Sequence, residues 1–135
     1  MSIDWHTKLK HPIAFDFDGT ITQENHYPNC DELRPGIVDC IHKLRDEGYP
    51  IIIHTCRDCK THDQTEEFIM MVQYLRENCI YYDTINSNVM IPYFNNATFN
   101  SHKPYAIIYV GDDALGWNPN WTGEDIYKLI KERLK

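Results

Sequence analysis

Acidic side chains follow apolar runs at two places in this chain. Asp16 and Asp18 end the run Ile13-Ala14-Phe15-Asp16-Phe17 and lead into Gly19 and Thr20, while Asp112 and Asp113 follow Tyr105 to Val110 after Gly111. A third apolar run, from Pro50, ends at Thr55. Two carboxylates about 4 Å apart repel by roughly 4 kcal/mol at an effective dielectric of about 20. If these acids converge, a cation must join them. Oxygen ligands without clustered imidazoles suit a hard ion, which favours magnesium over zinc.

Magnesium and Lys103 would neutralise enough charge for an anionic phosphate to approach Asp16. Asp16 could then attack phosphorus, and an aspartyl-phosphate would split one hard displacement into two easier ones. Asp18 could protonate the leaving oxygen and later activate water. A spacing of two keeps both carboxylates on one side of an extended chain. Gly19 allows a sharp turn beneath the phosphate, and the hydroxyls of Thr20 and Thr55, with nearby backbone N–H groups, can donate to its oxygens.

The elements that would position these residues alternate. Ile13 to Phe17 reads as a buried strand and Pro50 to Thr55 as a second, apolar on both faces as in a covered parallel sheet. Between them a helix is expected from Arg34, with Pro35 in its first turn, Ile37, Val38, Ile41 and Leu44 at helical spacing, and Gly48 as its stop. Thr61 to Gln64 and Asp63 to Glu66 have capping-box spacing before the stripe Phe68, Met71, Val72, Leu75 and Cys79. A weaker strand is expected over Ile80 to Ile85, a polar, Asn-rich loop over Asn86 to His102, and a β-rich run from Tyr105 to Val110. A closing helix from about Gly123 to Leu134 has Thr122 and Asp125 at capping-box spacing, acids first and bases last.

This order predicts an α/β fold with a mostly parallel sheet, in which sites form beyond the carboxyl ends of the strands. Asp16, Asp18, Thr55, Asp112 and Asp113 would share that edge. Lys103 precedes its strand and would start at the opposite edge unless the Asn-rich loop folds back.

Taken in order, Asp16-Phe17-Asp18-Gly19-Thr20, Thr55, Lys103 and Gly111-Asp112-Asp113 resemble the four motifs of the haloacid dehalogenase-like phosphohydrolases. The resemblance runs from Ile13 to the final helix. It implies a three-layer Rossmann-like fold, a magnesium-dependent phosphatase acting through an aspartyl-phosphate, and a metal held by Asp16, the backbone of Asp18, and Asp112. The last motif departs from the family pattern, being an adjacent acid pair instead of two spaced acids; Asp112 is favoured as the ligand over Asp113. Residues 19–34 and 86–102 are each too short for a cap domain, so a capless member is implied. Such an open site suits a small phosphorylated molecule covered by a neighbouring subunit of a homo-oligomer, or an exposed phosphate on a larger one. Arg57, His26 and Tyr27 are expected to line its rim.

At 135 residues, 42% hydrophobic and 13% aromatic, the chain suits one domain. Its net charge of −7 gives no general attraction to nucleic acid or an anionic membrane. No segment looks like a signal peptide or membrane span, which makes a cytoplasmic location the expectation. An odd count of five cysteines, with Cys40 and Cys79 in helix-like stretches, argues for reduced thiols. Cys56 and Cys59 have the spacing of a redox or zinc motif, but lack a second such pair. Trp117 and Trp121 are expected to pack against the final helix. Two other classes fit the same acids: a non-catalytic phosphate- or magnesium-binding module that can stay phosphorylated on aspartate, and a phosphotransferase, which shares the first half-reaction.

Overall fold

A computed structural model of the chain describes residues 10–57, 66–87, 89 and 104–135. Its elements run β1 (Ile13–Asp16), α1 (Ile37–Asp46), β2 (Ile51–His54), α2 (Glu66–Glu77), β3 (Thr84–Ile85), β4 (Ile108–Val110) and α3 (Gly123–Arg133). The capping-box residues expected at 61–64 and 63–66 extend outside the described residues, as do Lys103 and Cys59.

The four strands form one sheet in the order β3-β2-β1-β4, and every neighbouring pair is parallel. The register sets Ile13 beside Ile51 and Ile108, and Phe15 beside Ile53 and Val110. Strands this apolar belong inside a parallel sheet, where helices cover what antiparallel sheets leave wet. The core follows the alternation of the strands. Ile13, Phe15, Ile51 and Ile53 pack with Ile37, Ile41 and Leu44 of α1, Met71 and Leu75 of α2, and Ile126 and Ile130 of α3. On the opposite face, Ala14, Ile52 and Ala106 form a smaller cluster with Val89. All three described helices therefore cover the same face of the sheet.

The helices are placed by local chemistry. The Thr122 side chain accepts from the Asp125 N–H while the Asp125 carboxylate accepts from the Thr122 N–H, the capping box expected at the start of α3. The N-termini of α1 and α3 abut so closely that a Cβ on Gly123 would lie 2.0 Å from the Gly36 carbonyl oxygen. Glycine is required there by proximity to backbone. Among the described residues, no helix is long and apolar enough to cross a membrane.

The carboxyl ends of the central strands, β1 and β2, and of β4 meet at one edge. Asp16 is the last residue of β1, Thr55 follows β2, and Gly111-Asp112-Asp113 follows β4.

Candidate active site

The chain turns immediately after β1. Asp18 has φ −70° and ψ 123°, Gly19 has φ 79° and ψ 2°, and the Thr22 N–H closes the turn on the Phe17 carbonyl at 3.1 Å. The Thr22 hydroxyl stiffens it by accepting from the Gly19 N–H at 2.9 Å. Gly19 is needed twice over: its φ lies in the left-handed region, and a Cβ there would fall 2.3 Å from Asp112 Oδ2. The Asp112 carboxylate thus rests against the bare backbone of this turn.

Asp112 also hydrogen-bonds to Asp16, and Asp113 lies against Gly111 on the other side, with Oδ1 only 3.0 Å from where a Gly111 side chain would begin. Burial, the hydrogen bond to Asp112, and the charges of Asp112, Asp113 and Asp18 together push the Asp16 carboxyl up to about 8. Its ionised form is disfavoured unless positive charge arrives. The Thr20 hydroxyl donates to Asp16 Oδ2 at 3.5 Å, a long contact.

Asp16 and Thr55 line a cavity of about 320 Å³ with His54, Tyr109, Gly111 and Asp113. Thr55 is held by the Asn86 side chain, which accepts from the Thr55 N–H at 2.9 Å and donates to its carbonyl at 2.8 Å. Thr55 Oγ1 accepts from the Arg57 N–H at 3.0 Å. A hydroxyl that accepts in this way keeps its own hydrogen to donate.

Asp18 departs from the expected arrangement. Because β1 ends at Asp16, the alternation that would set Asp16 and Asp18 on one side does not continue. The Asp18 carboxylate instead meets the Arg57 guanidinium edge to edge, Oδ2 to Nε at 2.8 Å and Oδ1 to Nη2 at 2.7 Å. Arg57 is correspondingly no rim residue. It is 1% exposed, and its other N–H groups donate to the carbonyls of Pro28, Asn29 and Glu67 at 2.9, 3.0 and 3.3 Å. All five guanidinium hydrogens are used, leaving none for a substrate. Burial works against its charge, but the Asp18 carboxylate more than offsets that and raises Arg57 above its ordinary value. Of the other expected rim residues, Tyr27 stacks on Arg57 with its ring centroid 5.0 Å from Cζ, and His26 bridges Glu24 and Asp31 at 3.1 and 3.2 Å.

The donor set for a cation is oxygen-rich and negative at Asp16 and Asp112, as a hard ion requires. Among the described residues, the one group of three side chains close enough to share an ion is Glu24, His26 and Asp31, on the exposed loop. At the strand ends the Asp18 side chain is turned to Arg57. The resemblance assigns the third ligand to the Asp18 backbone.

A second buried arginine has no counterpart among the expected site residues. Arg34, 1% exposed, donates through Nε to the Thr20 carbonyl at 2.7 Å and through Nη2 to the Gly19 carbonyl at 3.0 Å. Through Nη1 it reaches the carbonyls of Pro119 and Trp121 at 2.9 and 2.7 Å. It also lies over the Trp117 ring at 5.0 Å, and Trp117 meets Trp121 edge to face. Arg34 therefore ties the turn after β1 to the segment after β4.

The fold has a relative of known structure. The chain is similar to the solved structure of a conserved protein from Bacteroides thetaiotaomicron, with 26% sequence identity, 91% of each chain covered and a TM-score of 0.71. The shared fold is parallel α/β and Rossmann-like. No family model matches the chain, and no curated protein matches it. The likeness thus bears on architecture.

Proposed function

We propose that this chain is a magnesium-dependent phosphomonoesterase of the haloacid dehalogenase-like, capless type, working through an aspartyl-phosphate on Asp16. The observation that carries this reading is the meeting of the Asp16 and Asp112 carboxyls at the ends of adjacent parallel strands, beside a glycine turn and a cavity. Carboxylates are placed in contact at a strand edge at a cost that a bound cation offsets.

Asp16, Asp112 and the backbone carbonyl of Asp18 would hold the ion. Bound magnesium would neutralise the carboxylates and polarise the phosphoryl oxygens. An Asp16 oxygen attacks phosphorus as the bond to the leaving oxygen breaks, and the leaving oxygen takes a proton from Asp18, which must first have taken that proton from water on an oxygen lone pair that Arg57 leaves free. In the second half, water attacks phosphorus, gives its proton to Asp18, and releases Asp16. The Thr55 hydroxyl is a donor to the phosphate, and Lys103, outside the described residues, is assigned the same task by its place in the motif order.

An uncapped site admits a small phosphorylated metabolite, with a partner subunit of a homo-oligomer closing it, or a phosphate exposed on a larger molecule. The deciding experiment is phosphate release from a panel of monoesters with and without magnesium. Asp16→Asn is expected to lower the magnesium-dependent rate by at least about 1000-fold, since it removes the nucleophile. Full activity in that variant rules the nucleophile out. An aspartyl-phosphate that forms from a small phosphodonor and persists for hours would instead mark a phosphorylated module, and transfer to added alcohols a phosphotransferase.

A further inference from the structure

Arg57 occupies a cradle built for a guanidinium. Each of its five N–H groups has an acceptor, and the rings of Phe17 and Tyr27 lie against it, with centroids 5.3 and 5.0 Å from Cζ. The acceptors belong to the turn after β1, the loop at 28–29 and the first residues of α2, so the guanidinium cannot shift without moving all three. A buried ion pair of this kind is weak evidence for stability, because desolvation consumes most of its Coulombic gain. What it does supply is geometry.

Asp18 needs that geometry. It stands in a turn where neither ladder nor helix fixes its side chain, and a carboxylate so placed can choose among three χ1 rotamers. A fork–fork pair leaves one. Two parallel N–H···O bonds fix both the position and the plane of the carboxylate. They engage one edge of the group, so lone pairs on its far edge remain for a proton in flight. Effective proton transfer asks for placement within about 0.5 Å.

We propose that Arg57 is the positioning residue of the proton-transfer step, acting on the leaving group through Asp18 and touching no substrate itself. The inference rests on the phosphatase reading above. It predicts a dependence on the leaving group that a purely structural arginine would not produce. A p-nitrophenolate departs without help, whereas an alkoxide must be protonated as it leaves.

The experiment is single-turnover release of alcohol from p-nitrophenyl phosphate and from an alkyl phosphate, with magnesium, in wild type, Arg57→Gln and Arg57→Lys. Arg57→Gln should slow the alkyl ester by about 100-fold and the nitrophenyl ester by less than about 10-fold, with KM for each within about 3-fold. Arg57→Lys, with its charge kept and its fork lost, should fall between wild type and Arg57→Gln. Tyr27→Ala serves as a second variant should Arg57→Gln not fold, because it removes an exposed ring that lies against the guanidinium. It should show the same split, at about 3-fold. Equal slowing of the two esters, or none, in the folded variants overturns the role given to Arg57 while leaving the phosphatase intact. A wild type that releases neither alcohol overturns the phosphatase reading, and the role of Arg57 with it.

Discussion

Asp16 is the residue on which the chemistry turns, and its environment makes that testable without a substrate. Its carboxyl ordinarily titrates at 3.8, and burial with three neighbouring acids pushes it up to about 8. Between those values the folded chain holds a proton that the unfolded chain has lost. The resulting stabilisation is complete below about pH 4 and is lost as pH rises through about 8. With divalent cations chelated, the stability of wild type relative to Asp16→Asn should therefore fall from pH 5 to about pH 8 and level off above it, as measured by urea midpoints. Parallel curves would show that Asp16 is ionised throughout. At this scale the sequence locates Asp16, Asp112 and Asp113 at strand ends, because an acid after an apolar run marks where the strand leaves the core. It was a poor guide to Arg57, because nothing in a residue type says whether a guanidinium faces solvent or is enclosed by carbonyls. Arg34 left no signal at all: its partners at Gly19, Thr20, Pro119 and Trp121 are backbone carbonyls, which every residue possesses.

The elements are shorter than the apolar runs that announced them, and the differences have causes. A strand was expected over Ile80 to Ile85, yet only Thr84–Ile85 pairs with β2. Ile80 is apolar because it fills the core just beyond α2. The first helix begins at Ile37 instead of Arg34, since Gly36 before it has φ 78°. That start leaves Arg34 outside the helix, where its side chain reaches the turn after β1. Arg34 is thus a bolt between two connections that carry the site acids, and cutting it should loosen both. Arg34→Met keeps comparable length and apolar contact but leaves several inward carbonyls without donors, each worth about 1 to 3 kcal/mol when unsatisfied. A loss of roughly 3 kcal/mol in unfolding free energy is expected from urea titration, with weakened binding of magnesium. A loss below about 1 kcal/mol would mean that water replaces the guanidinium readily.

At the scale of the whole molecule, parallel strands force the ends of β1, β2 and β4 to one edge, and this is why residues nearly a hundred positions apart in sequence come together there. What topology does not reveal is which acids face one another. That depended on the turn at Gly19, which brings Asp112 to Asp16 and sends Asp18 to Arg57. A cation shared between the connections after β1 and β4 would couple ligand binding to the integrity of the entire sheet, since an ion that binds only the folded state stabilises it by mass action. At a hundredfold excess over Kd this amounts to about 2.7 kcal/mol, or a rise in Tm on the order of 10 °C for a chain of this size. Asp112→Asn should abolish the magnesium-induced rise measured by thermal melting. Asp31→Asn should leave it unchanged, because Asp31 belongs to the other group able to share an ion, with Glu24 and His26 on the exposed loop. The reverse pattern, with the rise lost in Asp31→Asn and kept in Asp112→Asn, would move the ion to that loop and remove the cation from the chemistry proposed for Asp16.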